Sequence, residues 1–138
     1  MTLADEQRAA VVQVRLGNAR QALDDAACLL ERTSLRAAMN RCYYAVFYAA
    51  SALLVSQGKT FRKHSGLIAC FHAEYIKTAV FEREFGRILQ SAFDNRSAAD
   101  YQDVLRFSCE DAKASLLEAP RFVQEITAYL TKDRKADT

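Results

Sequence analysis

LRAAMNRCYYAVFYAASALLVSQ, residues 35–57, is the stretch that decides the fold of this chain. It contains no proline or glycine and is apolar on nearly every side, which favours one uninterrupted helix. Ser34 precedes it at the N-cap position, and Gly58 follows where a left-handed residue commonly ends a helix. Such a helix is about 35 Å long, at about 1.5 Å per residue. We therefore expect it to cross the whole domain, with the other elements packed around it.

This helix carries two stripes of side chains. Residues at three- and four-residue steps predict the face that packs in the core. They are Leu35, Met39, Cys42, Val46, Ala49 and Leu53, broadened by Tyr43 and Phe47. Arg41, Tyr44 and Tyr48 form the second stripe, because positions seven apart on a helix point within about 20° of each other. A guanidinium and two phenols are thus expected on one side of a mostly buried helix.

The second stripe has a structural and a functional interpretation. In the structural one, Arg41 pairs with a neighbouring carboxylate, and the tyrosines pack with their hydroxyls at the surface. In the functional one, Arg41 presents a planar charged fork to a phosphate, while Tyr44 and Tyr48 stack on bases or donate hydrogen bonds. Periodicity alone favours the structural interpretation.

Composition and length indicate a single all-α domain. The 138 residues are 51% hydrophobic, with 4 glycines and 1 proline. Such scarce turn residues favour long helices, and a chain of this size buries a core without disulfides or metals. We expect one domain over residues 1–138, an up-and-down bundle of about five helices. The net charge of +2 neither demands nor excludes RNA, because a local basic patch decides nucleic-acid binding.

Four cysteines are spread singly along the predicted helices. They are Cys28, Cys42, Cys70 and Cys109. Their spacing matches neither a zinc knuckle nor a redox pair, so buried thiols in a reducing cytosol are expected. We expect no metal and no cofactor, since the sequence has no Gly-rich phosphate loop, paired-carboxylate signature or metal-ligand spacing. The N-terminus has no apolar signal segment and no apolar run is long enough to span a bilayer, which indicates a cytoplasmic protein without membrane association.

Four other helices are predicted. They cover about Ala4–Arg32, Ser65–Thr78, Glu82–Asn95 and a last segment from the N-cap Ser108 to Leu130. The first takes its apolar stripe from Val11, Val14, Leu16, Leu23, Ala26, Ala27 and Leu30. Gly17 leaves open whether that segment is one helix or two. Pro120 is expected to kink or split the last helix, and the polar tail 131–138 is expected to fray.

The densest basic stretch before the tail is KTFRKHS, residues 59–65. Its basic residues, Lys59, Arg62, Lys63 and His64, surround Phe61. Such an arrangement binds a phosphodiester backbone and offers an aromatic ring for stacking. The alternative is a solvated connector that caps the next helix, and the sequence weighs the two about evenly. His72, inside that next helix, is expected to be structural.

Residues 93–101, FDNRSAADY, combine cap-type residues with a charged pair four apart. In the structural interpretation, which the pattern favours, an Arg96–Asp100 interaction closes the end of a helix. In the functional one, Arg96 is a second phosphate-binding cation, and Asp100 orients Arg41 or Tyr48.

In this order along the chain, the residues resemble the small stand-alone HEPN proteins. The matching residues are Asn40–Ala50 (NRCYYAVFYAA), Leu53–Leu54, Gly58, Lys63–Gly66 (KHSG), Arg96 and Ala99–Tyr101 (ADY). The resemblance runs from about Leu23 to Leu130 and implies a helical bundle that forms a homodimer around the arginine-bearing helices. Members are often encoded beside a minimal nucleotidyltransferase as a toxin–antitoxin pair, and active members are metal-independent RNases.

The signature of that family is an Arg followed after four to six residues by a His, with both motifs meeting in a cleft across the dimer. Arg41 matches the Arg, but Tyr48 stands where the His would follow six intervening residues. Metal-free RNA cleavage needs groups that accept and donate protons, and histidine suits both tasks. A tyrosine, with an ordinary pKa of about 10, donates a proton or a hydrogen bond but is a poor base.

The resemblance and the residue patterns together define the expected site. Arg41 and Tyr48 are the catalytic candidates. The candidates for nucleotide or RNA binding are Tyr44, Lys63, His64, Arg96, Asp100 and Tyr101. Three hypotheses stay open. In the first, the protein is an RNA-directed toxin paired with a nucleotidyltransferase antitoxin. In the second, it is a non-catalytic module that binds RNA or a nucleotide, or that is the partner or substrate of a nucleotidyltransferase, and in the third the stripe serves only as a dimer interface.

Overall fold

Helices account for nearly all of the described chain. The computed structural model describes the backbone of residues 3–101 and 109–136 and the side chains of residues 4–94 and 113–132. Within these ranges lie α1 (Leu3–Glu31), α2 (Leu35–Val55), α3 (His64–Phe71), α4 (Arg83–Tyr101) and α5 (Cys109–Ala136), with a π-helical turn at His72–Ile76 after α3. No strand occurs in these ranges. The predicted all-α bundle of about five helices is confirmed.

The predicted central helix is α2, which contacts each of the other four α-helices. Five of the six positions on its predicted core face are buried, and Leu35 is half-buried. Its most extensive packing is against α1. There Ala19 and Ala26 of α1 and Ala45 and Ala49 of α2 are fully buried. Such small side chains let two helix backbones approach closely, which fixes how α2 lies in the bundle.

Part of the predicted stripe on α1 is wrong. Val11 and Val14 are 38% and 61% exposed. Ala27 is exposed too, whereas the predicted Leu16 and Ala26 are buried together with Val12, Ala19 and Ala22. These buried residues also recur at three- and four-residue steps, but alanines supply most of them, so the larger valines misdirected the prediction. The helix runs through Gly17 without a break.

Backbone hydrogen bonds close the helices on both sides of this region, ending α1 at the turn before α2 and ending α2 at Gly58. At the turn before α2, Thr33 has a left-handed φ of 58°, and the Ser34 amide donates to the Leu29 carbonyl at 2.9 Å. At the other end Gly58 has φ 78°, and the Lys59 amide donates to the Leu54 carbonyl at 3.0 Å. Both are Schellman-type endings. Ser34 occupies the N-cap position but its side chain makes no capping hydrogen bond.

The third predicted helix is divided. After Phe71 the backbone widens into the π-helical turn, in which the Lys77 amide donates to the His72 carbonyl at 2.8 Å. Ala79, with φ 62°, then ends the segment. Phe71 and Phe81 stack in the core with ring centroids 6.0 Å apart and planes 9° apart. The widened turn therefore belongs to a segment whose aromatic side chains pack inward.

The last two helices are longer than predicted. No proline or glycine interrupts α4 after Gly86, and it continues to Tyr101, so the predicted helix end at Asn95 is wrong. Pro120 lies on the exposed side of α5, which is one continuous helix through that position and reaches Ala136. The predicted N-cap Ser108 and the side chains of Arg96, Asp100 and Cys109 lie outside the described residues.

The other three cysteines are free thiols, and they differ in exposure. Cys42 is buried, Cys70 is half-buried and Cys28 is exposed. The prediction of buried thiols is therefore wrong for Cys28, which lies on the solvent side of α1. Burial raises the pKa of the Cys42 thiol from 9.0 to about 11, because the interior disfavours the thiolate. None of the helices in the described ranges is both long enough and apolar enough to cross a bilayer.

Candidate functional site on the central helix

Arg41 lies on α2 at an open groove formed where α1 turns into α2. The groove has a volume of about 660 Å³. It is lined by Leu29, Thr33, Ser34, Leu35, Arg36, Ala37, Asn40 and Arg41. Among the described residues of this lining, Arg36 and Arg41 are the cations and none is acidic. The groove therefore favours an anionic ligand on electrostatic grounds.

The Arg41 side chain is half-buried and held by two neighbours on its own helix. Its Nη2 donates a hydrogen bond to Asn40 Oδ1 at 3.0 Å. Its Cζ atom lies 4.8 Å from the centre of the Tyr44 ring, a cation–π contact. Among the side chains described, no carboxylate pairs with Arg41. The structural interpretation, in which a carboxylate neutralises Arg41, thus finds no partner in this part of the chain.

Tyr44 and Tyr48 continue the stripe that starts at Arg41. Their ring centroids are 5.9 Å apart with the planes tilted by 39°, and both rings are half-buried. This arrangement follows from their spacing of one helical turn. Neither tyrosine lines the groove. Arg41 therefore joins two surfaces of the molecule, the groove on one side and a partly exposed aromatic stripe on the other.

His64, the first residue of α3, contacts the same part of α2. Its Nδ1 shares a hydrogen bond with the hydroxyl of Tyr43. Its ring centroid lies 4.3 Å from that of Phe47. Tyr43 is only 1% exposed and packs edge-on against Tyr44 at 5.2 Å. His64, Tyr43, Tyr44, Phe47 and the neighbouring Tyr48 thus form one continuous cluster, hereafter the aromatic cluster.

The basic stretch before α3 divides into two parts. Lys59 forms an ion pair with Glu74, and this hydrogen bond raises the pKa of the Lys59 ammonium. Arg62 and Lys63 are exposed. Lys63 directly precedes His64, which belongs to the aromatic cluster, so this end of the basic stretch is next to the cluster. Lys59 therefore anchors the connector, while Arg62 and Lys63 are the cations available to a ligand.

The candidate residues of α4 follow Phe93 in the chain, and Phe93 contacts the aromatic cluster. The ring of Phe93 is 6.2 Å from that of Tyr43. The helical backbone continues from Phe93 to Tyr101, so Arg96 and Asp100 follow one and two turns later. Their side chains and that of Tyr101 lie outside the described residues. The structure therefore brings α4 to the cluster and leaves the roles of these three residues as predictions.

Four residues belong to this site that the sequence patterns do not single out. Asn40 holds Arg41, Arg36 lines the groove, and Tyr43 and Phe47 hold His64. Tyr43 and Phe47 are predicted only as core residues, and nothing in their spacing indicates a histidine from another helix. Arg36 was detectable in principle, because it follows the turn that precedes α2 and lies five residues before Arg41. Among the described side chains, no group of three His, Cys, Asp or Glu residues is placed to hold a metal ion.

Comparison with known proteins defines the class to which this bundle belongs. The HEPN domain model matches residues 12–129, which include α2, α3 and α4 in full and most of α1 and α5. The chain therefore belongs to the HEPN family.

Its relatives include proteins of bacteria and archaea. A UPF0332 protein of Thermotoga maritima is 38% identical over 118 residues, covering 86% of this chain and 89% of the relative. The protein named "Putative toxin MJ0605" of Methanocaldococcus jannaschii is 32% identical over 119 residues, covering 86% of this chain and 88% of the relative. A second protein of that archaeon, "Putative toxin MJ0142", is 32% identical over 93 residues, covering 67% of this chain and 63% of the relative.

Proposed function

We propose that this protein is a toxin-like HEPN protein that cleaves RNA without a metal ion. Its site is the region around Arg41, completed across a homodimer, and its setting is the cytoplasm. The single observation that carries the proposal is the state of Arg41. Its guanidinium is half-buried, is held by Asn40 and Tyr44, and borders an open groove that no acidic residue of the described part of the chain lines.

An arginine in this state is prepared to bind a phosphodiester. The contacts with Asn40 and Tyr44 fix the side chain before a ligand arrives, so less conformational entropy is lost on binding. Nη2 is engaged by Asn40, and a guanidinium has five N–H donors. The donors that remain can form two parallel hydrogen bonds to phosphate oxygens. The toxin names of two relatives support a toxin-like role for this chain.

The same arginine would do more than bind. During cleavage by the neighbouring 2′-hydroxyl, negative charge grows on the phosphate oxygens, and a positioned cation stabilises that charge. Tyr48 lies one turn beyond Tyr44 and would donate a hydrogen bond from its hydroxyl. Lys63, with Arg96 on α4, would contact phosphates on either side of the cleaved bond, and Tyr44 and Tyr101 would stack on bases. Asp100 would orient Arg41 or Tyr48.

The proposed partners follow from the same surface. A second copy of the chain, docked along the stripe of Arg41, Tyr44 and Tyr48, would bury these half-exposed side chains and bring two arginines into one cleft. A nucleotidyltransferase is the proposed antitoxin. It would act on the dimer rather than on RNA.

A second candidate function is a binding module that holds RNA or a nucleotide without cutting it, or that is the partner or substrate of a nucleotidyltransferase. The observation that favours it is Tyr48, because the position that would carry the signature histidine has a side chain that is a poor base. Both functions use Arg41. They differ in whether the protein supplies a group that moves a proton.

The test is cleavage of labelled total RNA in EDTA by the purified parent, Arg41→Ala, Tyr48→Phe and Tyr48→His. We expect the parent to cut and Arg41→Ala to lose about 10²- to 10³-fold in rate, the usual effect of removing one group that stabilises transition-state charge. A parent that binds RNA but does not cut it, with cutting gained in Tyr48→His, would establish the binding module. RNA binding and RNA cleavage that are both unchanged in Arg41→Ala would contradict both functions and leave the stripe as a dimer interface.

A further inference from the structure

Proton transfer near neutral pH calls for a histidine, and this chain has two, His64 and His72. Metal-free cleavage requires one group that takes the proton of the 2′-hydroxyl. Tyr48 does not suit that task. We infer that His64 is a catalytic residue of the cleavage reaction, and that Tyr43 is the residue that positions it. This inference rests on the proposed function.

The first support is where His64 lies. Although it belongs to α3, its ring packs against that of Phe47, with the centroids 4.3 Å apart and the planes tilted by 43°. Phe47 is the residue directly before Tyr48 on α2, within the same helical turn as the position that would carry the signature histidine. An imidazole is therefore present at this turn of α2, and it comes from the start of another helix.

The second support is how His64 is held. The hydrogen bond with the Tyr43 hydroxyl engages Nδ1. For Nε2 to act as the base, Nδ1 carries the proton and donates it to the Tyr43 hydroxyl oxygen, which leaves the lone pair on Nε2. Tyr43 is 1% exposed, and its ring packs against Tyr44, Phe47 and Phe93. A buried phenol held on three sides gives the imidazole one orientation. Pairing one ring nitrogen to orient the other is the usual way in which proteins prepare a catalytic histidine.

The third support is the position of His64 between solvent and core. The imidazole is half-buried, while Lys63 directly before it is exposed. From Arg41 to His64 the contacts are continuous, since the guanidinium lies on Tyr44, Tyr44 packs on Tyr43, and Tyr43 bonds to His64. The cation that would hold the phosphate and the base that would take the proton thus belong to one connected cluster at the surface.

His72 does not offer the same possibility. It lies in the π-helical turn, where its Nε2 is buried and finds no hydrogen-bond partner among the described residues. Its ring is enclosed against α4, because a Cβ atom added at Gly86 would lie 2.7 Å from His72 Cε1. A nitrogen in that place cannot reach an RNA strand. His72 is therefore a suitable control residue.

The proposed step conserves atoms and charge. His64 Nε2 takes the proton of the ribose 2′-hydroxyl while the 2′-oxygen forms a bond to phosphorus. The bond between phosphorus and the 5′-oxygen breaks, its electron pair stays on that oxygen, and water supplies the proton that completes the 5′-hydroxyl. The products are a 2′,3′-cyclic phosphate and a 5′-hydroxyl end, and the imidazolium returns its proton to solvent.

The test measures RNA cleavage in EDTA for the parent, His64→Ala, His64→Gln and Tyr43→Phe, with His72→Gln as the matched control. Thermal unfolding of each variant checks that it is folded. We expect His64→Ala and His64→Gln to lose at least about 100-fold in kcat. Added imidazole should restore cutting to His64→Ala, which a structural role of His64 would not allow. Tyr43→Phe should lower kcat by about 10-fold with little change in KM, since it leaves the base present but less well oriented.

Three results would overturn the inference. If His64→Ala cuts like the parent, His64 is not the base, whereas the proposed function stands as long as Arg41→Ala is inactive. An equal loss in His64→Ala and His72→Gln, with no recovery in imidazole, would mean that both histidines act only through the fold. A parent that binds RNA and does not cut it would remove the catalytic role of His64 together with the nuclease, and would leave the binding module.

Discussion

All seven side chains from Ala49 to Val55, in the C-terminal part of α2, are buried, whereas five of the nine from Asn40 to Tyr48 stay partly exposed. The buried part is built from small and aliphatic residues, which neighbouring helices enclose on every side. The half-exposed part carries the guanidinium and the phenols, whose polar ends need water or a ligand. One helix thus serves as core at one end and as candidate site at the other, and size and polarity of the side chains mark the boundary.

The largest expected difference between the two parts is in stability. Leu53→Ala should lower the free energy of unfolding by about 2–5 kcal/mol, because Leu53 is 0% exposed and its removal leaves a cavity. Arg41→Ala should lower it by about 1 kcal/mol or less, since it loses one hydrogen bond and one cation–π contact near the surface. Urea denaturation of the parent and both variants measures these losses in the free energy of unfolding. Equal losses would mean that Arg41 is a core residue and that the comparison between the two parts is wrong.

The buried face of the half-exposed part contains a titratable group. Cys42 is on the core side of the half-exposed part, and burial raises the pKa of its thiol from 9.0 to about 11. Below pH 9 the thiol is neutral in both folded and unfolded chains and has no effect. Between pH 9 and 11 the unfolded chain ionises first, so the free energy of unfolding should fall, by up to about 3 kcal/mol.

The control for this pH dependence is Cys42→Ala. Tyrosines and lysines elsewhere titrate in both proteins, so the difference between their unfolding free energies isolates Cys42. We expect that difference to be constant below pH 8 and to shrink toward pH 11. If the difference in unfolding free energy stays constant up to pH 11, the thiolate is tolerated at position 42. The buried face of α2 would then be more accessible to water than its burial indicates.

The sequence was most informative about α2 because two independent patterns agree there. The absence of proline and glycine predicts its length, and the three- and four-residue steps predict its buried face. Both predictions rest on local geometry. The stripe on α1 was harder, because alanines contribute as much as valines when two helices pack closely, and a pattern that gives weight to large side chains selects Val14 over Ala22.

The site was only partly predictable for a related reason. Arg41, Tyr44 and Tyr48 share one helix, so their relative positions follow from its pitch. The contact of His64 with Tyr43 and Phe47 joins residues that are far apart in sequence, and it depends on where the connector after Gly58 directs α3. No spacing rule encodes such a contact. The widened turn at His72–Ile76 is equally hidden, since its residues fit an ordinary helix.

A smaller effect is expected from the one polar side chain in the buried part. Ser51 is 7% exposed, and its hydroxyl accepts a hydrogen bond of 2.9 Å from Arg15 Nη1. Arg15 Nε is already buried without a partner in the described part of the chain. Ser51→Ala should therefore lower the free energy of unfolding by about 1–3 kcal/mol, because it removes an acceptor from a cation that is partly withdrawn from water.

The double variant Ser51→Ala with Arg15→Leu tests that reason. Removing both partners leaves no unpaired donor, so the double variant should be no less stable than Ser51→Ala alone. If the losses in unfolding free energy of the two single variants simply add in the double variant, the Arg15–Ser51 hydrogen bond has no energetic coupling. The buried part of α2 would then tolerate either residue without its partner.

The smallest expected effect concerns the contact that prepares Arg41. Tyr44→Leu removes the ring under the guanidinium and should weaken RNA binding by about 2- to 5-fold, the equivalent of about 0.5–1 kcal/mol for one partly exposed cation–π contact. Tyr44→Phe keeps the ring and should bind as the parent does. Fluorescence anisotropy with a labelled single-stranded RNA resolves such differences at fixed salt. If Tyr44→Phe weakens binding as much as Tyr44→Leu, the hydroxyl itself contacts the ligand. Tyr44 would then hydrogen-bond to RNA in addition to stacking on a base, and the half-exposed part of α2 would present two hydrogen-bonding side chains one turn apart.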